Sequence, residues 1–233
     1  MTTIASRLQA VNERIAQATR AAGRLRQDVT LVAVSKTFPL TSIYEAYAAG
    51  QRAFGENYLQ EALEKVRNAV LPHVEWHFIG PIQSNKTRAI AENFSWVHGI
   101  EREKIAVRLS EARPAHLPPL QVCIQVNVSG EMSKCGVPPA HALNLALAVS
   151  KLPGLRLRGL MAIPEPTTDS GLRQRRFRAL RELRDEIASM GLLGLDTLSM
   201  GMSDDMEAAI AEGATLVRIG TAIFGERPAL RPA

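Results

Sequence analysis

Short apolar runs of strand length alternate with helical stretches along nearly the whole chain. The first run, at 29–34, is continuous and rich in β-branched residues, which is typical of a strand buried on both faces of a parallel sheet. Similar runs follow at 52–54, 74–79, 95–98, 120–128, 155–161, 197–199 and 216–219. Helical stretches lie between them, at 40–49, 57–69, 84–92, 101–112, 139–152, 171–190 and 203–212. This alternation predicts βα units joined by right-handed crossovers.

Eight βα units close naturally into a (β/α)8 barrel, and an amphipathic helix precedes the first of them. Its apolar residues recur at spacings of three and four and share one helical face: Ile4, Leu8, Val11, Ile15 and Ala18. We therefore predict an α/β fold, a TIM barrel with an extra N-terminal helix, in a single domain spanning 1–233. An open doubly wound sheet is the alternative, because the run at 52–54 is short for a strand.

Composition narrows the classes of function. The 233 residues include 28 Lys+Arg and 23 Asp+Glu, a net charge of +5, but 5% aromatic residues, whereas nucleic-acid binders usually place stacking rings beside their positive charge. Two cysteines, Cys123 and Cys135, are too few for a disulfide framework or a zinc site and fit a thiol-reducing compartment. The N-terminus lacks the apolar core of a signal peptide, and no apolar stretch is long enough to span a bilayer. These features predict a cytoplasmic protein that binds no nucleic acid, membrane or metal.

Lys36 directly follows the first apolar strand, at the end where barrels carry their functional residues. Desolvation at this position favours a neutral, nucleophilic amine. A Schiff base with an aldehyde requires such an amine. The alternative is a lysine that extends its charged end into solvent at the barrel rim.

The turns after the last two strands have the features of a phosphate site. Ser203 is placed at the predicted N-cap of a helix, and Gly220 precedes a short helix that starts at Thr221. Barrels commonly bind phosphate with the loops after strands seven and eight, so these three residues are candidate ligands. Asp204 and Asp205 would repel a phosphate, and we expect both to point away from it. The alternative is that both turns serve only as caps and connections.

Arg218 lies within the eighth strand rather than in a loop. A buried arginine needs an acceptor, and in a barrel mouth this is either a carboxylate or a heteroaromatic ring nitrogen. A structural salt bridge is the simpler alternative. A Schiff-base lysine, a phosphate site and an arginine between them together suit one cofactor, pyridoxal 5'-phosphate (PLP).

Several motifs also resemble a known family in the same order and over essentially the full length. They are VAVSK at 32–36, FGENY at 54–58, HFIG at 77–80, QSNK at 83–86, VNVSGEMSK at 126–134 with Gly136, GLM at 159–161, LSMGMS at 198–203 and RIGT at 218–221. With them the chain resembles the pyridoxal phosphate homeostasis proteins, whose barrel is similar to the N-terminal domain of alanine racemase. The resemblance implies that PLP is bound by Lys36, Asn57, Ser203, Arg218, Gly220 and Thr221.

The resemblance also implies roles for these residues and for the protein. Lys36 would form the Schiff base, Arg218 would face the pyridine nitrogen and Asn57 would lie near the ring. We expect a PLP carrier in vitamin B6 and amino-acid homeostasis, passing PLP to apo-enzymes as a monomer, with no residue in a catalytic role. A cation at the ring nitrogen weakens the cofactor as an electron sink. Because the sequence ends at Ala233, just after the eighth unit, we expect it to lack the second domain of alanine racemase.

Two alternatives stay open. The first is a single-domain, PLP-dependent amino-acid racemase that uses Lys36 as one base and an unidentified group as the other. The second, more distant, is a Schiff-base lyase that acts on a sugar phosphate without a cofactor. In that case Lys36 would meet the carbonyl group of the substrate itself.

Overall fold

Eight parallel strands form a closed barrel. The computed structural model describes residues 3–131, 135–192 and 194–226. The strands are β1 Thr30–Val34, β2 Ala53–Glu56, β3 Glu75–Phe78, β4 Trp96–Ile100, β5 Leu120–Gln125, β6 Leu155–Met161, β7 Thr197–Ser199 and β8 Leu216–Ile219. Each strand pairs with the next, and β1 closes the ring on β8 with Val32 opposite Arg218. The TIM-barrel prediction is confirmed, and the open doubly wound sheet is wrong.

Helices alternate with the strands and surround the barrel. Those formed by the described residues are α1 Ile4–Ala21, α2 Leu40–Ala48, α3 Leu59–Asn68, α4 Thr87–Asn93, α5 Glu103–Ala112, α6 Pro139–Val149, α7 Ser170–Ser189, α8 Met206–Ala211 and α9 Thr221–Phe224. The predicted N-terminal helix is confirmed. Thr3 Oγ1 caps α1 by accepting the Ser6 N–H at 3.1 Å. The apolar face of α1 packs against α2, α8 and α9, so this helix covers the seam between the last and first units.

Side chains alternate along each strand between the helices and the barrel interior. On β1, Leu31 and Ala33 join the large core between strands and helices, while Val32 belongs to a second cluster inside the barrel. The members of this interior cluster are Val32, Ala53, Trp96, Cys123, Met161 and Leu216. Arg218 lies two residues after Leu216 on β8, so its side chain also points into the barrel. Apolar side chains therefore fill the barrel interior. The Arg218 guanidinium lies above this apolar layer, nearer the carboxyl ends of the strands.

The strand predicted at 120–128 ends earlier, at Gln125. Beyond it the chain turns, because Asn127 Oδ1 accepts the Gly130 N–H at 3.1 Å and Asn127 Nδ2 donates to the Glu131 carbonyl at 2.7 Å. Three residues of the motif at 126–134, namely Met132, Ser133 and Lys134, lie outside the described residues.

The described residues offer neither a membrane span nor a metal site. None of their helices is long and apolar enough to cross a bilayer. In the same part of the chain, no three His, Cys, Asp or Glu side chains come together as a metal site requires. Both cysteines are free thiols, and burial raises the pKa of Cys123 to about 12, so its thiol is unreactive near neutral pH.

Candidate functional site

One cavity of about 240 Å³ lies at the ends of β1, β2, β3, β6, β7 and β8. All six residues predicted to bind PLP line it: Lys36, Asn57, Ser203, Arg218, Gly220 and Thr221. The rest of its wall is Val34, Phe38, Ile79, Ile163, Met202 and Asp204. Closure of the barrel thus brings residues from the first, second, seventh and eighth units to one place. An apolar wall with a few convergent polar groups is the usual composition of a small-molecule site.

Lys36 is half-buried in a tight turn that follows β1. The Phe38 N–H donates to the Ser35 carbonyl at 3.1 Å and closes the turn, and Thr37 takes a left-handed φ of 70°. Phe38 stacks on Phe224 of α9 at 5.1 Å between ring centroids. The turn is therefore anchored to the last helix, which places Lys36 beside the residues that follow β8.

Arg218 is a buried cation whose direct hydrogen-bond partners are uncharged. Its side chain is buried, and its guanidinium donates to Ser199 Oγ at 2.6 Å and to the Ala162 carbonyl at 2.9 Å. Burial lowers its pKa to about 10, which leaves it charged at neutral pH. Among the described residues no carboxylate lies close enough to form an ion pair with it, although the charge of Asp205 partly opposes the lowering of its pKa, and the two bonds use two of its five N–H donors. The predicted alternative of a structural salt bridge is therefore wrong for this part of the chain.

Two histidines lie behind Arg218 inside the barrel. His98 Nδ1 is 2.7 Å from Ser199 Oγ, and His98 Nε2 is 3.0 Å from His77 Nδ1. Burial lowers the pKa of both imidazoles; the neighbouring His77 and Arg218 lower that of His98 further, and Glu75 partly opposes the shift at His77. Both rings are therefore neutral at pH 7, and neither compensates or repels the guanidinium. These contacts were not predicted from the sequence. The signal available was that His77 and His98 occupy inward-facing positions on β3 and β4.

The turn after β7 differs from its predicted form. Ser203 is not an N-cap, because α8 begins at Met206 and its N-cap is Asp205. Asp205 Oδ1 accepts the Met202 N–H at 2.6 Å, which keeps 202–205 in a turn and moves the helix start along the chain. Ser203 nevertheless reaches the cavity. Asp204 also lines it with an exposed side chain, whereas Asp205 is not part of the cavity wall.

Gly220 and Gly80 keep two parts of the site free of side chains. A Cβ on Gly220 would lie 3.2 Å from the Val34 carbonyl oxygen, so glycine lets β8 end close to β1. A Cβ on Gly80 would lie 2.3 Å from the Asn57 carbonyl oxygen and 2.9 Å from its Oδ1. Asn57 can hold its position only because residue 80 is glycine. This supporting role of Gly80 was missed, although the residue belongs to one of the recognised motifs.

Comparisons with known proteins agree with this architecture. The family described as alanine racemase, N-terminal domain, matches residues 6–228. Over 233 residues the chain is 60% identical to a pyridoxal phosphate homeostasis protein of Pseudomonas aeruginosa, covering 100% of both chains. A protein of the same name from Escherichia coli K12 is 53% identical over 234 residues, covering 97% of this chain and 98% of the other. This chain belongs to the pyridoxal phosphate homeostasis protein family.

Solved structures place this family member among related barrels. PipY of Synechococcus elongatus PCC7942 with PLP bound has a TM-score of 0.80 and 38% identity, over 91% of this chain and 100% of that chain. Alanine racemase from Corynebacterium glutamicum has a TM-score of 0.68 at 18% identity, over 97% of this chain and 63% of that chain. The second similarity shows the shared fold alone.

Proposed function

We propose that the chain binds PLP in the cavity at the barrel mouth and holds it through a Schiff base with Lys36. The chain, a single domain over 1–233, would act as a cytoplasmic monomer that buffers PLP for vitamin B6 and amino-acid homeostasis and passes it to apo-enzymes. One observation carries the proposal: the six predicted ligands, among them the buried Arg218, line one cavity. The names of the relatives and the PLP-bound PipY structure support the same ligand.

The donors around the cavity fit the parts of PLP. A buried guanidinium without a carboxylate partner favours an uncharged ring nitrogen as acceptor and disfavours a protonated one. The hydroxyl groups of Ser203 and Thr221 suit a phosphate, and Gly220 leaves the backbone accessible beside them. When bound, PLP supplies an aldehyde carbon to the Lys36 amine and an electron-withdrawing ring.

The same residues disfavour catalytic turnover of amino acids. Arg218 keeps a cation where many catalytic PLP enzymes place a carboxylate, which makes the ring a weaker electron sink. Proton abstraction from an amino acid by a two-base route needs a second base opposite Lys36. Among the described residues of the cavity wall, the sole acidic group is Asp204, and it is exposed to solvent. These features favour holding and releasing the cofactor over transforming an amino acid.

Replacing Lys36 with alanine tests this proposal. The purified protein incubated with PLP is expected to show an absorbance band at about 420 nm, as a protonated Schiff base does. Lys36→Ala should abolish the band because the bonding amine is gone. Lys151→Ala, which removes an exposed lysine after α6, is the matched control and should keep it.

Two results would contradict the proposal. One is a wild-type protein that stays colourless after incubation with PLP and dialysis. The other concerns turnover: the loaded protein is incubated with L-alanine, and the enantiomers are separated by chiral chromatography. Conversion to D-alanine faster than with free PLP, and dependent on Lys36, would show a racemase rather than a carrier.

A further inference from the structure

A buried group of charges lies beneath the Lys36 turn and outside the cavity wall. It consists of Glu56 at the end of β2 and Glu61 and Lys65 on α3, and we call it the Lys65 cluster. Lys65 Nζ lies 2.8 Å from Glu56 Oε1 and 2.5 Å from Glu61 Oε1. The side chains of Glu56 and Lys65 are 0% and 7% exposed. The proposed function uses none of these three residues.

The cluster contacts both chain neighbours of Lys36. On one side, Ser35 Oγ donates to Glu56 Oε1 at 2.6 Å, and the Ser35 carbonyl accepts from Lys65 Nζ at 2.8 Å. On the other side, the Thr37 N–H donates to Glu61 Oε1 at 2.6 Å. With Ser35, Glu56 and Glu61 as acceptors, the three donors of the ammonium group are all used. The backbone on both sides of Lys36 is therefore hydrogen-bonded to side chains of the Lys65 cluster.

This turn needs such support because its backbone is strained. Thr37 has φ of 70°, a left-handed conformation that β-branched residues rarely adopt. Its Oγ1 is buried without a hydrogen-bond partner among the described residues. Strain of this kind persists only where the surroundings over-determine it, and it is concentrated at ligand sites. Besides the Phe38 contacts, the hydrogen bond from the Thr37 N–H to Glu61 of the Lys65 cluster helps to hold Thr37 in this conformation.

Stability alone is a weak reason for burying these charges. Burial raises the pKa of Glu56, while the charge of Lys65 and the hydrogen bonds from Lys65 and Ser35 oppose that rise. Apolar side chains of similar volume often stabilise a protein as well as a buried ion pair does. Because the polar atoms of the cluster bond to Ser35 and Thr37, its distinctive effect is on the geometry of the turn.

We propose that Lys65, with Glu56 and Glu61, is a positioning device that fixes the 35–38 turn so that Lys36 meets the aldehyde of PLP. This inference rests on the proposed function, since it takes Lys36 to be the bonding amine. The residues proposed for the phosphate and the ring nitrogen lie on other elements, after β7 and on β8. The cluster should therefore affect formation of the covalent bond and leave recognition of the phosphorylated ring unchanged.

Two ligands separate positioning of Lys36 from general damage to the fold. One is PLP, and the other is 4'-deoxypyridoxine 5'-phosphate, which carries a methyl group instead of the aldehyde and cannot bond to an amine. Lys65→Met should weaken PLP binding by at least about tenfold and slow growth of the absorbance band, while affinity for the deoxy analogue stays within about twofold of wild type. The matched control is Arg178→Met, which removes an ion pair to the buried Glu212 between α7 and α8 and should change neither affinity.

A second pair of variants tests the inference independently if Lys65→Met does not fold. Glu61 is 31% exposed on α3, so replacing it leaves the core intact. Glu61→Ala removes the acceptor of the Thr37 N–H and should selectively weaken PLP binding, whereas Glu61→Gln retains an acceptor and should bind PLP almost as wild type does. Unchanged PLP binding in Glu61→Ala, or equal loss of both ligands in Glu61→Ala and Lys65→Met, would overturn the inference. Failure of the proposed function is distinct, because wild type itself would then form no band.

Discussion

Single residues set the electrostatics of the site. Arg218 could be identified from the sequence because an arginine inside an apolar strand has to find an acceptor. Its actual neighbours could not, since Ser199, His98 and His77 come from three other strands and nothing local in the sequence links them. The Lys65 cluster was missed because Glu61 and Lys65 look like ordinary charges of an exposed helix and nothing local in the sequence links them to Glu56 on β2. At this scale the sequence predicted six residues that reach the cavity. It did not predict the hydrogen bonds that hold them in place.

The buried histidines should make the stability of the protein depend on pH. Their pKa values are lowered in the folded state, so below about pH 6.5 the unfolded chain takes up protons that the folded chain does not. Stability is therefore lost as pH falls, with each histidine contributing up to about 1.4 kcal/mol per pH unit. Urea unfolding of the PLP-free protein at several values between pH 7 and pH 5 measures this slope.

His98→Asn supplies the comparison for that slope. It removes one buried imidazole, so the free energy of unfolding should fall less steeply with decreasing pH, even though the variant is less stable at pH 7. His116→Asn, which changes an exposed histidine before β5, should leave the slope as in wild type. Equal slopes in wild type and His98→Asn would show that His98 is not held neutral in the folded state.

Secondary-structure elements were predicted well where their sequences are apolar. Strands β7 and β8 are buried throughout and have the predicted bounds, and β6, which is buried at both ends, has them too. Strand β2 was placed too early, since Gly55 and Glu56 do not look like strand residues. Glu56 can end a strand in the core only because Lys65 and Ser35 bond to it. The start of α8 was misplaced because Asp205, a good cap, follows Ser203, another good cap, and only the fold decides between them.

Helix α1 offers a prediction at the scale of elements. Leu8 is 2% exposed and packs where α1 covers the seam of the barrel, so Leu8→Ala should lower the free energy of unfolding by about 2–5 kcal/mol. Leu25→Ala is the matched control, since Leu25 is 61% exposed and its loss should change stability by less than about 0.5 kcal/mol. Urea unfolding of both variants gives the comparison. Similar small effects in both would mean that α1 does not contribute to the folded core.

Closure of the barrel creates the site at the scale of the whole molecule. Lys36 and Arg218 are far apart in sequence, and pairing of β1 with β8 brings their strands side by side. The count of βα units predicted this closure, and the known position of function in such barrels predicted which end to inspect. The size of the cavity and its apolar wall could not be predicted, because residues such as Ile79 and Ile163 reach it only through the final curvature of the sheet.

Reductive trapping of the bound cofactor tests the central claim most directly. The full-length protein is incubated with PLP, treated with borohydride to make the Schiff base permanent, digested and mapped by mass spectrometry. We predict that the phosphopyridoxyl group is found on the peptide containing Lys36, in near-stoichiometric yield, and that the Lys65 peptide is unmodified because the Lys65 amine is held by Ser35, Glu56 and Glu61. Modification spread over other lysines, or absent from Lys36, would contradict the account.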